Sequence, residues 1–169
     1  RERPLLGWQA EKEYVGGRGG VMDQFAAALS RSGSALLLDC RTLEYEYIPL
    51  PLKQYRLMIA DSRVPRRLAA SEYNRRREEC EAAVDQLAGL LGRPLRSLRD
   101  VNKTEINKVE GMLPALLAQR SRYVVEENER VIAAAAALRA GRLQDFGRLM
   151  VLSHAGLRDL YQVSCPELD

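Results

Sequence analysis

Apolar residues along this chain of 169 residues recur with two periods, and the helical one takes over after residue 62. Residues 3–14 carry weak helical spacing, with Leu6, Ala10 and Tyr14 one turn apart, and the pattern stops at Gly16 and Gly17. A second helix is expected over 21–31, where Val21, Phe25, Ala28 and Leu29 share a face and Gly33 supplies a stop. Residues 34–40 form a short apolar run, the mark of a well-buried strand. Residues 45–49 alternate as the returning arm of a hairpin. Pro49 and Pro51 lack the N–H that a ladder needs, so the strand ends there. The chain is expected to divide at this point, into 1–52 and 53–169, and a third strand is expected over residues 56–62.

Helices follow. Residues 74–91 place Cys80, Val84, Leu87 and Leu91 on one stripe ended by Gly92, with Ser71 and Asn74 as candidate caps. A short helix is expected over 104–109. The strongest helical signal covers 114–140, with Val124, Val131, Ile132, Ala135 and Leu138 as its stripe and Gly141 as its close. Another runs over 142–160, with Leu143, Phe146, Met150 and Leu157 on one side. Three strands followed by long helices define an α+β class rather than alternating βαβ units.

Composition adds exclusions. At 46% hydrophobic and 29% charged residues the chain is globular in class. A net charge of +3 is spread among mixed-sign segments such as Arg75-Arg76-Arg77-Glu78-Glu79, so no nucleic-acid arm stands out. Even Arg63-Val64-Pro65-Arg66-Arg67 reads as a solvated or phosphate-facing loop. Cys40, Cys80 and Cys165 are odd in number and far apart, which fits a reducing cytoplasm better than a disulfide framework or a zinc site. His154 is the one histidine, too few for a histidine-rich metal site. No apolar run reaches the length of a membrane span, and no partner membrane is expected. Arg1 and Asp169 both look like cuts within a longer chain.

The candidate chemistry centres on Gly16-Gly17-Arg18-Gly19-Gly20-Val21-Met22-Asp23-Gln24. Clustered glycines let the backbone turn sharply and let a ligand approach the main chain. The helix start that follows offers unpaired N–H groups, and Asp23 gains there from the positive end of the dipole. A carboxylate so placed can act as a base or electrostatic stabiliser for a docked hydroxyl. A flexible turn ahead of an ordinary helix is equally consistent with these residues. The loop lacks the Gly-Lys-Ser/Thr of a phosphate cradle, and no strand precedes it as a dinucleotide fingerprint requires. Tyr73 offers a hydroxyl or an apolar face near a helix start. His154, beside Ser153 and with Asp159 nearby, is better read as structural than as part of a catalytic relay. Asn128 falls inside its helix's apolar stripe and is expected to be a buried hydrogen-bond hub. Glu126, Glu127 and Glu129 read as a solvated face.

Several strings taken in order resemble the galactokinase family of the GHMP small-molecule kinases. They include Ala10-Glu11, Glu13-Tyr14-Val15-Gly16 and Gly20-Val21-Met22-Asp23-Gln24-Phe25, then the run from Ala35 to Glu44. The run from Ser71 to Glu81, that from Arg122 to Arg130 and the closing Ser164-Cys165-Pro166-Glu167-Leu168-Asp169 continue the series. The resemblance implies part of a two-domain GHMP-kinase fold: the end of the amino-terminal domain, then the helical part of the carboxy-terminal one. It implies ATP- and Mg²⁺-dependent phosphorylation of the C1 hydroxyl of α-D-galactose. Asp23 would be the catalytic carboxylate, the Gly20 backbone would lie against the sugar, and Tyr73 would reach a sugar hydroxyl. A cytoplasmic monomer is expected.

The family's glycine/serine-rich phosphate loop, its amino-terminal sugar-binding string and its glycine-rich third motif do not occur here. No nucleotide or Mg²⁺ ligand is therefore assigned, and the chain alone is expected to be inactive. Gly17-Arg18-Gly19 replaces the family's usual apolar-Pro-Cys beside Asp23. Two other readings of the same resemblance are a non-catalytic galactose-sensing or interaction protein, and a kinase for a related sugar such as galactosamine or arabinose.

Overall fold

The computed structural model describes residues 2–15, 19–52, 54–63 and 69–169, with the side chains of 15 and 69–73 left aside. The chain separates into two compact units, Arg1–Ile59 with Ala135–Leu143 and Ala60–Ala134 with Gln144–Asp169.

The first unit begins with helix α1 (Glu2–Ala10), which runs into one π-helical turn, Glu11–Val15. Pro4 sits in the first turn, where its missing N–H costs nothing, and is fully buried. Helix α2 (Met22–Leu29) carries the fully buried Phe25. It ends before residues 30–31 because Ser30 adopts an extended conformation, and Gly33 then turns at φ +70°.

Strands β1 (Ser34–Leu38) and β2 (Tyr45–Pro49) pair antiparallel, with Ser34 opposite Pro49, Leu36 opposite Tyr47 and Leu38 opposite Tyr45. Their connection is shaped by Asp39, whose Oδ1 accepts the N–H groups of Arg41 at 2.8 Å and Thr42 at 3.1 Å. The Tyr47 hydroxyl donates to the Leu29 carbonyl at 2.7 Å and ties the hairpin to the end of α2. β1 is half-buried throughout, not well buried as its apolar run suggested, because a two-stranded ribbon covers little of either face. Ala135, Ala137 and Leu138 add buried apolar surface to this unit.

The third expected strand is absent: residues 56–62 belong to no regular element, and Leu57, Met58 and Ile59 are exposed. A strand exists only with a ladder partner, and the described residues give this segment none.

In the second unit α3 (Ala69–Leu91) supplies the expected stripe. Leu87 and Ala83 are fully buried, with Cys80, Val84 and Leu91 packed against the same core. The helix begins earlier than expected, at Ala69, so Ser71 and Asn74 lie within it rather than at its start; Ala69 and Ala70 extend it at little cost. The core is completed by Leu98 and Val101, by Ile106 and Val109 of α4 (Lys103–Val109), and by Leu113, Leu117 and Val125. Asn102 caps α4 reciprocally with Glu105, at 2.9 and 3.0 Å, so two orphan N–H groups are satisfied at once. Glu105 lies below the ordinary carboxylate range through the Asn102 N–H and the Arg93 guanidinium.

Helix α5 (Ala115–Arg139) departs most from its sequence pattern. Val131 and Ile132, assigned to its stripe, are exposed, as is Asn128, which is no buried hub. Ala135 and Leu138 of that stripe are buried and Val124 packs against the core; the helix also buries Leu117, Arg120, Ser121, Tyr123, Val125 and Ala137. A buried arginine defeats periodicity because its ion pairing comes from another helix.

That pairing is extensive. Arg120 Nε lies 2.7 Å from Glu79 Oε2, and Arg76 Nη1 lies 3.1 Å from Glu79 Oε1. Both guanidinium groups also donate to the end of the last helical segment. Arg76 reaches the carbonyls of Tyr161 at 2.8 Å and Gln162 at 3.1 Å, while Arg120 reaches the Leu160 carbonyl and Gln162 Oε1. They occupy the carbonyls that any helix leaves unpaired at its C-terminus. The segment comprises α6 (Leu143–Gly156) and a π-helical turn, Leu157–Tyr161, closed by Gln162 at φ +57°.

Candidate functional site

The glycine loop is described from Gly19 onward; Gly16, Gly17 and Arg18 lie outside the described residues. Gly20 is exposed, and a Cβ built on it would meet nothing within 4 Å. Open space above a backbone is what a ligand lying against the main chain requires. Asp23 follows in the first turn of α2, exposed, with no hydrogen bond or ion pair among the described residues. Val21, at the N-cap, provides no side-chain cap, so the first-turn N–H groups receive no capping side chain from it. A carboxylate left without a protein partner beside open backbone can accept a proton or hydrogen bond from a docked hydroxyl.

The loop's other side is held by α1. The Trp8 indole N–H donates to the Gly19 carbonyl at 3.0 Å, and Gln24 Nε2 donates to Glu11. Gly7 of α1 faces the Gln24 side chain, where a Cβ would lie in ordinary contact at 3.5 Å from Cγ. Sequence reasoning did not single out Trp8 or Glu11; a tryptophan one turn from the helix end before a glycine loop was the available signal.

Tyr73 lies in α3, in the second unit, with its side chain outside the described residues. The structure therefore brings Gly20 and Asp23 together on one segment and says nothing of Tyr73 beside them.

His154 and Ser153 do not form a relay. Ser153 Oγ donates to Glu127 Oε1 at 2.6 Å, His154 Nε2 lies 3.3 Å from Asp169 Oδ1, and Asp159 pairs with Arg158 at 2.7 Å. Glu127 is thus half-buried, bonded to Ser153 and paired with Arg130, rather than wholly solvated. Burial, then the nearby Glu127 charge, pushes the Tyr123 phenol up to about 12 against the opposing Ser153 hydrogen bond and Arg130, so it stays neutral near pH 7. Ser153, His154 and Leu157 line an open groove of about 270 Å³ with Val131, Leu149 and Met150. Among the described residues no three His, Cys, Asp or Glu side chains come together, and no helix is long and apolar enough to cross a membrane.

No family model matches the chain. Over nearly its whole length, however, it is similar to known sugar kinases. It is 47% identical over 161 residues to the galactokinase of Thermotoga neapolitana, which covers 95% of the chain and 43% of that protein. It is 48% identical over 168 residues to the galactokinase of Chloroflexus aurantiacus, covering 99% of the chain and 43% of that protein. Its fold superposes on the crystal structure of Lactococcus lactis galactokinase complexed with galactose at a TM-score of 0.90 and 36% identity, over 98% of the chain and 42% of that protein. The architecture is thus a partial α+β fold of the GHMP kinases. The chain belongs to the galactokinase family and spans less than half the length of the relatives it matches.

Proposed function

We propose that the protein carrying this chain transfers a phosphoryl group from ATP to the C1 hydroxyl of α-D-galactose. The observation that carries the reading is Asp23, an exposed carboxylate with no partner among the described residues, beside an open Gly20, in a chain that fits a galactose-bound galactokinase at a TM-score of 0.90. Asp23 accepts the proton of the attacking hydroxyl, late or in concert with phosphoryl transfer, because a sugar hydroxyl is a very weak acid. Positioning and charge stabilisation then supply most of the acceleration. The Gly20 backbone lies against the sugar, and Tyr73 reaches another of its hydroxyls. The domain division near residue 52 and a cytoplasmic, monomeric state belong to the same reading, supported by three free cysteines and interspersed charge.

ATP and Mg²⁺ do not fit the glycine loop described above. A phosphate at that helix start would face the Asp23 carboxylate, where phosphate cradles carry a lysine and a hydroxyl. They belong to polypeptide outside these residues, and no step is derived through them.

The test is Asp23→Asn in the full-length protein, which keeps the side chain's shape and removes its basicity. Galactose-dependent ADP release should fall by about 10²–10⁴-fold with galactose binding retained. An undiminished kcat overturns the role of Asp23. Galactose binding by the wild-type protein without any ADP release favours the sensing protein instead.

A further inference from the structure

We infer that Trp8 is a positioning residue for the sugar site, with Glu11 as its second tether; this rests on the reading of Gly20 and Asp23 given above. The two residues flank Asp23 from behind. Trp8 Nε1–H donates 3.0 Å to the carbonyl of Gly19, four residues ahead of Asp23, and Glu11 accepts the amide N–H of Gln24, the residue after it. Gln24 Oε1 is buried without a partner, so among the described residues only Glu11 orients this amide. Lys12 Nζ, 5.2 Å from the Trp8 ring centroid, adds a cation–π contact on the same helical segment.

The consequence follows from peptide geometry. All peptide bonds described here are trans. In a trans peptide the carbonyl of one residue and the N–H of the next point in opposite directions. With the Gly19 carbonyl turned toward Trp8, the Gly20 N–H is turned away from α1, on the side open to a ligand. Two successive glycines would otherwise sample many orientations of that peptide plane. One indole N–H therefore selects the orientation that presents a backbone donor beside Asp23, and the Gln24 tether holds the start of α2 in register with it. Trp8 contributes through the loop and touches neither reacting group.

Trp8→Phe in the full-length protein keeps an aromatic six-membered ring and removes the N–H together with the five-membered half of the indole. The galactose dissociation constant and KM should rise about fivefold to tenfold, as expected for one lost hydrogen bond. The KM for ATP should hold within twofold and the thermal midpoint within about two degrees. Amide exchange at Gly20 and Val21 should speed up by a similar factor while α1 is unchanged. A purely structural tryptophan would instead lower the thermal midpoint and weaken both substrates together. Glu11→Gln, at an exposed position, is the second variant should Trp8→Phe fold poorly; a rise of about threefold in the galactose constant alone is expected. Unchanged galactose binding and loop exchange in either folded variant overturns the proposal while leaving Asp23 in place. Failure of the wild-type protein to bind galactose overturns both readings together.

Discussion

At the scale of single residues, Gly156 shows how little room the chain leaves. Gly156 is buried at the end of α6 with an ordinary helical backbone, φ −64°, so its small size, and not its flexibility, is what the fold uses. A Cβ there would sit 2.9 Å from Cδ2 and 3.0 Å from Cε2 of Tyr123. That ring has little freedom to retreat, because it stacks on Tyr161 at 4.7 Å and its hydroxyl is hydrogen-bonded to Ser153. Gly156→Ala should therefore destabilise by about 1–3 kcal/mol, the usual cost of overpacking, even though alanine is the better helix former. A thermal midpoint equal to or above that of the wild type would show that the ring moves freely. Asp23 is the opposite case, an exposed side chain with no hydrogen bond or ion pair among the described residues, whose substitution should spare the fold.

At the scale of elements, the cluster of Glu79, Arg76 and Arg120 joins α3, α5 and the final helical turn, and it is sensitive to both charge and pH. Burial by itself would raise the Glu79 carboxyl, but the hydrogen bond and charge of Arg120, with Arg76 and Arg75 behind it, hold it below its ordinary 4.5. A carboxylate depressed in the folded state contributes stability that is fully present above the unfolded value. That contribution is lost as the pH falls through the folded one. The wild-type thermal midpoint should thus decline below about pH 4.5, and Glu79→Gln should remove part of that acid slope. At pH 7 the same variant leaves two buried guanidinium groups without their counter-charge and should cost about 3–5 kcal/mol. A variant as stable as the wild type at both pH values would show that solvent already screens the cluster.

This cluster also marks where sequence legibility stops. The stripe of α3, the hairpin and the stops at Gly92 and Gly141, at φ +63° and +69°, were readable because each is encoded locally. The buried face of α5 was readable only in part: Ala135 and Leu138 are buried as expected, but Arg120 is interior because Glu79, 41 positions away, and the end of the last helical segment pair with it. Residues 56–62 failed for the converse reason: strand propensity is local, but a ladder partner is not. Asp23 and Gly20 could be proposed from sequence because they are neighbours in it, whereas the contact of Trp8 with Gly19 links residues 11 positions apart, which periodicity does not encode.

At the scale of the whole molecule, the distribution of apolar surface decides what the 169 residues can do by themselves. Met58 and Ile59 are 87% and 92% exposed, and Ile132, Val151 and Leu152 are 63%, 69% and 55% exposed. Each is ordinary alone; together, on a chain spanning 42–43% of its relatives, they lead to the expectation that further polypeptide covers them in a longer protein. The same reasoning applies to chemistry. On the proposed reading Asp23 and Gly20 provide a place for a hydroxyl, and the triphosphate is held by other residues. The isolated 169 residues should therefore bind a hydrophobic dye, associate as their concentration rises, and release no ADP when given galactose and ATP. The full-length protein should stay monodisperse and turn over. Light scattering and a coupled ADP assay on the two forms separate these expectations. Galactose-dependent ADP release from the isolated chain would mean that these residues bind the nucleotide themselves, and the division of labour between sugar and phosphate segments would have to be abandoned.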